Sequence, residues 1–150
     1  MTFRDAVTGT NGLTHAYRDG LQALKATDRP RIRCADPRKL TGSVDLDHAL
    51  SDSHPNDPRW DYGIGVRNRR RSEVVIWVEV HPASSRHIQN VLDKLSWLRR
   101  WLASSAPLLD QLPRRFVWVA SGKVALPRDS QQRRRLAAEG ISLIGQRLSL

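Results

Sequence analysis

The chain has 150 residues, 39% hydrophobic and 27% charged with five Trp, which excludes a disordered chain and suits one globular domain over residues 1–150. Its formal net charge is +10 and nearly all of its 25 basic residues are Arg, whose guanidinium grips phosphate in a two-pronged fork, so composition points to nucleic acid before an anionic membrane. The single cysteine, Cys34, excludes an intramolecular disulfide framework and suits a reducing cytoplasm, and neither a signal peptide nor the ~18–20 apolar residues of a membrane span is found.

In chain order, Leu13, Ala16, Tyr17, Leu21 and Leu24 recur at helical spacing, so residues 12–27 are predicted as an amphipathic helix. "RPRIRCADP" follows as a short extended piece between Pro30 and Pro37. "TGSVDLDHAL" reads as a strand running into a helical turn, and "SDSHPNDPR" as a loop. "WDYGIGV" alternates, with Trp60, Tyr62, Ile64 and Val66 on one face and Asp61, Gly63 and Gly65 on the other. "SEVVIWVEV" is apolar on both faces up to Glu79, as a central, covered strand is. The short polar "RNRRR" between them predicts an antiparallel hairpin with an Arg-rich tip.

"ASSRHIQNVLDKLSWLRRWLASS" is the strongest helical pattern. Ser84 or Ser85 is placed to cap it, Ile88, Val91, Leu92, Leu95, Leu98 and Leu102 form one apolar stripe, and His87, Lys94 and Trp101 lie on its flank. "RRFVWVAS" reads as a strand, "SQQRRRLAAEG" as a helix stopped by Gly140, and "ISLIGQRLSL" as a last strand. The order predicts an α/β fold: a mixed central sheet with helices on both faces and a right-handed crossover that returns "RRFVWVAS" parallel to "SEVVIWVEV".

Two strands that want valine carry acids instead. Glu79 and His81 are two apart and share a face, and Asp61 on the neighbouring strand brings a second carboxylate alongside Glu79. Converging carboxylates with room for water suit Mg²⁺ or Mn²⁺ and phosphodiester cleavage. Asp47 is a candidate third metal ligand, with a helix N-cap by Asp45 or Asp47 as the alternative. As purely structural acids, Asp61 would pair with Arg59 or Arg67, and Glu79 with His81 or Lys94.

An acid opening one strand, an acid-x-basic pair ending the next and a helix thereafter resemble the PD-(D/E)xK, or restriction endonuclease-like, nuclease superfamily over about residues 12–121. The resemblance implies an αβββαβ core, Asp61 and Glu79 as metal ligands joined by the Val80 carbonyl, and hydrolysis of DNA or RNA. This chain departs in having Trp60 where a proline precedes the acid, and His81 where a lysine manages the attacking water. Histidine can act as a base, and Lys94 on the facing helix is placed to supply the missing ammonium. The other reading is a nuclease fold without catalysis, serving as a nucleic-acid-binding or protein-interaction subunit, alone, as a homodimer or with an acidic partner.

Arg67, Arg69, Arg70 and Arg71 at the hairpin tip, with Arg133, Arg134 and Arg135 later, are candidate phosphate contacts. An Arg-rich composition also follows from a GC-rich genome, and basic runs are commonly just solvated. Trp77, Trp97 and Trp118 read as core, with Trp60 and Trp101 as candidates for base stacking. His48 and His54 with Asp57 match no zinc spacing. The Gly-x-Gly of "YGIGV" lacks the helix of a phosphate loop and reads as close packing within a strand.

Overall fold

A computed structural model describes residues 1–150. Five strands make one mixed sheet in sequence order: β2 (Leu40–Asp45), β3 (Tyr62–Arg67), β4 (Glu73–His81), β5 (Arg114–Ala120) and β6 (Ile141–Leu143). The first three form an antiparallel meander, and β5 lies parallel to β4 as its crossover predicts. β6 continues parallel to β5. A separate two-stranded parallel ribbon joins β1 (Ile32–Arg33) to β7 (Leu148–Ser149).

Five helices accompany the sheet: α1 (Phe3–Thr8), α2 (Leu46–Ala49), α3 (Ile88–Ser105), α4 (Pro107–Asp110) and α5 (Gln131–Ala138). The apolar stripe of α3 is buried along its whole length, where the spacing puts it. It packs with Phe3, Val75, Trp77, Trp118 and Leu136 into the larger core, which lies on one face of the sheet. On the other face Tyr62, Ile64, Ile76, Val78, Val117 and Val119 are covered by Leu24, Ile32 and Leu148, that is by turns and the β1–β7 ribbon. Helices on both faces were expected; they gather on one, and residues 12–27, predicted as a helix, do not form one.

That segment, residues 12–27, is a chain of turns. Gly12 and Gly20 sit at φ +89° and +52°, outside the helical region. Arg18 and Ser43 exchange both backbone hydrogen bonds (3.0 and 2.8 Å), holding the chain against the edge of β2. The N-terminal helix lies upstream instead, where Thr2 Oγ1 accepts from Asp5 N–H and Phe3, Ala6 and Val7 face the core. The C-terminal segment also departs from one strand: it divides at Gly145 (φ +96°), whose carbonyl accepts from Ala120 N–H.

Strand β3 is glycine-rich for a packing reason. A Cβ on Gly63 would lie 2.7 Å from the Trp77 ring, and one on Gly65 would lie 2.6 Å from Phe3 Cγ. Both large rings therefore approach the strand more closely than a side chain there would allow. Trp60 does not share the face of Tyr62 and Ile64; it is fully buried in the helix-side core, edge-on to Phe116. Trp101 is buried and stacked on Trp97 at 5.8 Å. Neither is available for base stacking. Ser84 and Ser85 make no side-chain cap; a 3₁₀ turn, Ser85–His87, leads into α3 instead. No helix is long and apolar enough to cross a membrane.

Candidate active site

The register of the β3–β4 hairpin pairs Tyr62 with Val78, so Asp61 arrives beside Glu79 at the end of the sheet where β4 and β5 finish. Two backbone donors fix the carboxylates: Asp61 N–H donates to Glu79 Oε1 (3.2 Å), and Val80 N–H donates to Asp61 Oδ2 (2.9 Å). Glu79 shares the strand face of Val75 and Trp77 and therefore points under α3. Its side chain is 0% exposed.

Lys94, in the second turn of α3, reaches down to this pair. Its ammonium donates to Glu79 Oε2 at 2.5 Å and lies 4.0 Å from Asp61 Oδ1. His81 adds Nδ1 at 3.4 Å from the same Glu79 oxygen, and its Nε2 meets His87 Nδ1 at 3.1 Å. A continuous polar chain thus runs from Asp61 through Lys94, Glu79 and His81 to His87. The His81 carbonyl accepts from Trp118 Nε1–H (3.0 Å) and Ser121 N–H (3.1 Å), which ties the end of β4 to β5. Of the two pairings open for Glu79, both occur; of those open for Asp61, neither does.

Electrostatics follow from this crowding. Burial first, then the Glu79 charge, push the Asp61 carboxyl up to about 8, against the opposing pull of Lys94 and the Val80 N–H. Burial alone would lower Lys94, but Glu79 and Asp61 together hold its ammonium above the usual lysine value. Burial and the Glu79 charge thus favour the neutral form of Asp61, while the two carboxylates favour the charged form of Lys94.

Asp47 stands apart. Its Oδ1 takes Arg59 Nε–H at 3.2 Å, while Asp45 caps α2 by accepting from His48 N–H at 2.9 Å. Arg59 is thereby spent on Asp47 and not on Asp61. No three or more His, Cys, Asp and Glu side chains are grouped as a closed metal cage requires. For a hard cation the donors that remain are Asp61 Oδ1, which accepts no hydrogen bond, and Glu79 Oε2, which Lys94 and His81 both approach. Two crowded carboxylates with one unbonded oxygen fit a divalent ion in chemistry, provided Lys94 yields part of its hold. Asp61, Glu79, His81 and Lys94 line none of the five main concavities of the molecule.

The Arg runs divide. Arg67, Arg69, Arg70 and Arg71 lie at the opposite end of the hairpin, and six residue steps along β4 take the chain from Glu73 to Glu79, about 20 Å. Any phosphate contact they make lies away from the acids. Arg133, Arg134 and Arg135 lie on α5, which follows the loop leaving the site end of β5; Arg135 donates to Gln89 Oε1 (2.9 Å) at the start of α3. His54 packs edge-on against Trp97, whose Nε1–H donates to Asp57 (3.1 Å). Sequence reasoning missed His87 as the partner of His81, although its place on the Lys94 flank was the available signal. It also passed over Arg38, Lys39 and Arg115, which the fold brings to the hairpin tip.

No protein-family model, no curated protein and no solved structure matches this chain.

Proposed function

We propose that the chain is a metal-dependent phosphodiester hydrolase of the PD-(D/E)xK kind, acting on DNA or RNA, with Asp61 and Glu79 as the metal-holding pair. The observation that carries this reading is Lys94: from the helix after the second acid, it sets an ammonium between the two carboxylates. That ammonium takes the place of the lysine which this sequence lacks at His81. The order of α1, the β2–β3–β4 meander, α3 and β5 also supports an endonuclease-like core.

Held by Asp61 and Glu79, Mg²⁺ or Mn²⁺ would neutralise phosphate charge and acidify a water. The protein's own part is positional. Backbone N–H groups of Asp61 and Val80 hold the two carboxylates in register, and Lys94 offers a cation to charge developing on the phosphate. His81 and His87 form a two-ring path for a proton between the buried Glu79 and the surface.

A second reading, a nuclease fold retained for binding without hydrolysis, is favoured by one observation: Glu79 is wholly buried and both its oxygens are already bonded to protein. Calorimetric titration of Mg²⁺ and Mn²⁺ into wild type and Glu79→Gln, paired with single-turnover hydrolysis of labelled DNA and RNA, separates them. Hydrolysis predicts metal binding lost in Glu79→Gln and a drop of about 10²–10³ in rate for Lys94→Met. Metal-independent binding without turnover selects the second reading, and activity intact in Glu79→Gln places the chemistry elsewhere.

A further inference from the structure

The carboxylate cluster leaves most of the positive surface unused. Arg38 and Lys39 from the 3₁₀ turn Pro37–Lys39, Arg67, Arg69 and Arg71 from the β3–β4 tip, and Arg115 from the start of β5 line one open groove of about 730 Å³. Asp36 is the only acidic side chain lining it, and that carboxylate is taken by Arg38 at 3.0 Å. Val66 and Ile76, which belong to the core opposite the helices, form its floor. The groove therefore lies on the other face of the sheet from Glu79, and at the other end.

The tip that carries three of these arginines is built to hold one shape. Asn68 Oδ1 accepts from Arg70 N–H (2.9 Å) and Ser72 N–H (3.0 Å), and Asn68 N–H donates to the Ser72 carbonyl (2.8 Å). Arg71 closes the turn at φ +61°, the one non-glycine residue of the chain in the left-handed region. Glycine or asparagine would take that conformation without penalty, so the turn alone gives no reason for arginine. A charge placed there at the expense of backbone ease is a charge with a use. No aromatic residue lines the groove, which leaves nothing on which a base would stack.

We propose that this groove binds the sugar–phosphate backbone of a nucleic acid without reading its sequence, independently of the carboxylate cluster. Each arginine lost from phosphate contact removes about 0.9 from the slope of log affinity against log salt on a duplex. The test is fluorescence anisotropy of a labelled duplex oligonucleotide in EDTA, across a salt series. Arg67→Ala/Arg69→Ala/Arg71→Ala is compared with Arg133→Ala/Arg134→Ala/Arg135→Ala, which removes the same charge from α5. The groove variant is expected to bind at least about tenfold more weakly, with a slope lower by about 2–3, and the α5 variant to stay near wild type.

Equal losses in the two variants, a loss confined to the α5 variant, or no binding by wild type each overturn the proposal. If circular dichroism shows the groove variant unfolded, Lys39→Ala/Arg115→Ala leaves the turn intact and is expected to bind more weakly than the α5 variant, with a slope lower by about 2. Because EDTA removes any metal, binding that survives in a protein without hydrolysis overturns the hydrolytic reading alone. Hydrolysis in a protein whose two variants bind alike overturns the groove alone.

Discussion

Asp61 places one carboxylate oxygen on the Val80 N–H and leaves the other without a hydrogen bond, under the Lys94 ammonium at 4.0 Å. Raised to about 8 by burial and by Glu79, it stays protonated in the folded protein where the unfolded chain, with a carboxyl near 3.9, has already released its proton. Below about pH 4 both states hold the proton, and this residue's contribution to stability is fully present. As pH rises from there through about 8 the folded state binds more protons than the unfolded, and that contribution is lost, with a slope approaching about 1.4 kcal/mol per pH unit at most. Asp61→Asn keeps the acceptor for Val80 and removes the titration. Urea unfolding at several pH values between 5 and 8 is expected to show wild type losing stability relative to Asp61→Asn; parallel curves mean that Asp61 is ionised throughout. A metal bound at this pair must also expel that proton, so its affinity is expected to rise with pH in the same window. The acid pair itself was legible in the sequence, because strand alternation and hairpin pairing are short-range and place Asp61 beside Glu79 without any knowledge of the rest. The fate of Asp47 was not: whether its carboxylate turns to the cluster or to Arg59 depends on a loop whose path no periodicity encodes.

Strand β3 keeps two glycines where a sheet gains most from β-branched residues, and the reason lies in its neighbours. Trp77 from β4 and Phe3 from α1 occupy the space that side chains at 63 and 65 would fill. Gly63→Ala sets a methyl 2.7 Å from Trp77 Cζ3 and 3.2 Å from Val44 Cγ1, inside a fully buried layer. Overpacking of that kind costs about 1–3 kcal/mol, so the denaturation midpoint is expected to fall with the slope unchanged, and Trp77→Leu should cost less in the Gly63→Ala chain than in wild type. An unshifted midpoint means that the ring moves freely, and the packing account of β3 is then wrong. The same comparison explains which elements the sequence reveals. Helix α3 buries residues at a single period on a single face, and the meander strands are short apolar runs bounded by turns, so their patterns survive reading one residue at a time. Residues 12–27 show the helical period by coincidence: Leu13 belongs to one core and Leu24 to the other, on opposite faces of the sheet. Gly12, Gly20 and the bridge from Arg18 to Ser43 set the path, and only the long-range partner makes that visible. For the same reason the last ten residues, continuous in hydropathy, serve two sheets once Gly145 turns the chain.

Across the whole molecule, six of the fifteen acids are held in ion pairs. Asp36, Asp47, Asp110 and Glu139 pair with Arg38, Arg59, Arg114 and Arg99, and Asp61 and Glu79 are turned into the cluster under Lys94. With a formal net charge of +10, the molecule's field is positive, and six of its basic side chains line the groove where the hairpin tip, the Pro37–Lys39 turn and the start of β5 meet. Such a field destabilises the compact state by self-repulsion, and anions relieve this in two distinguishable ways. Simple salt screens every exposed charge alike and works over a Debye length of about 10 Å at 0.1 M. A polyanion seated in one groove acts by mass action, adding about 1.4 kcal/mol at ten times its Kd, or about 3–6 °C in Tm for a chain of this size. Inorganic tripolyphosphate is therefore expected to raise Tm above the value reached in NaCl at matched ionic strength, with a saturating dependence on concentration. In Arg67→Ala/Arg69→Ala/Arg71→Ala the excess over NaCl should vanish while the screening part persists. Thermal melts that coincide for the two salts at matched ionic strength would mean that the charge is spread over the surface without a seat for a polyanion. The excess charge would then matter to solubility and encounter alone, with no groove to which phosphate is directed.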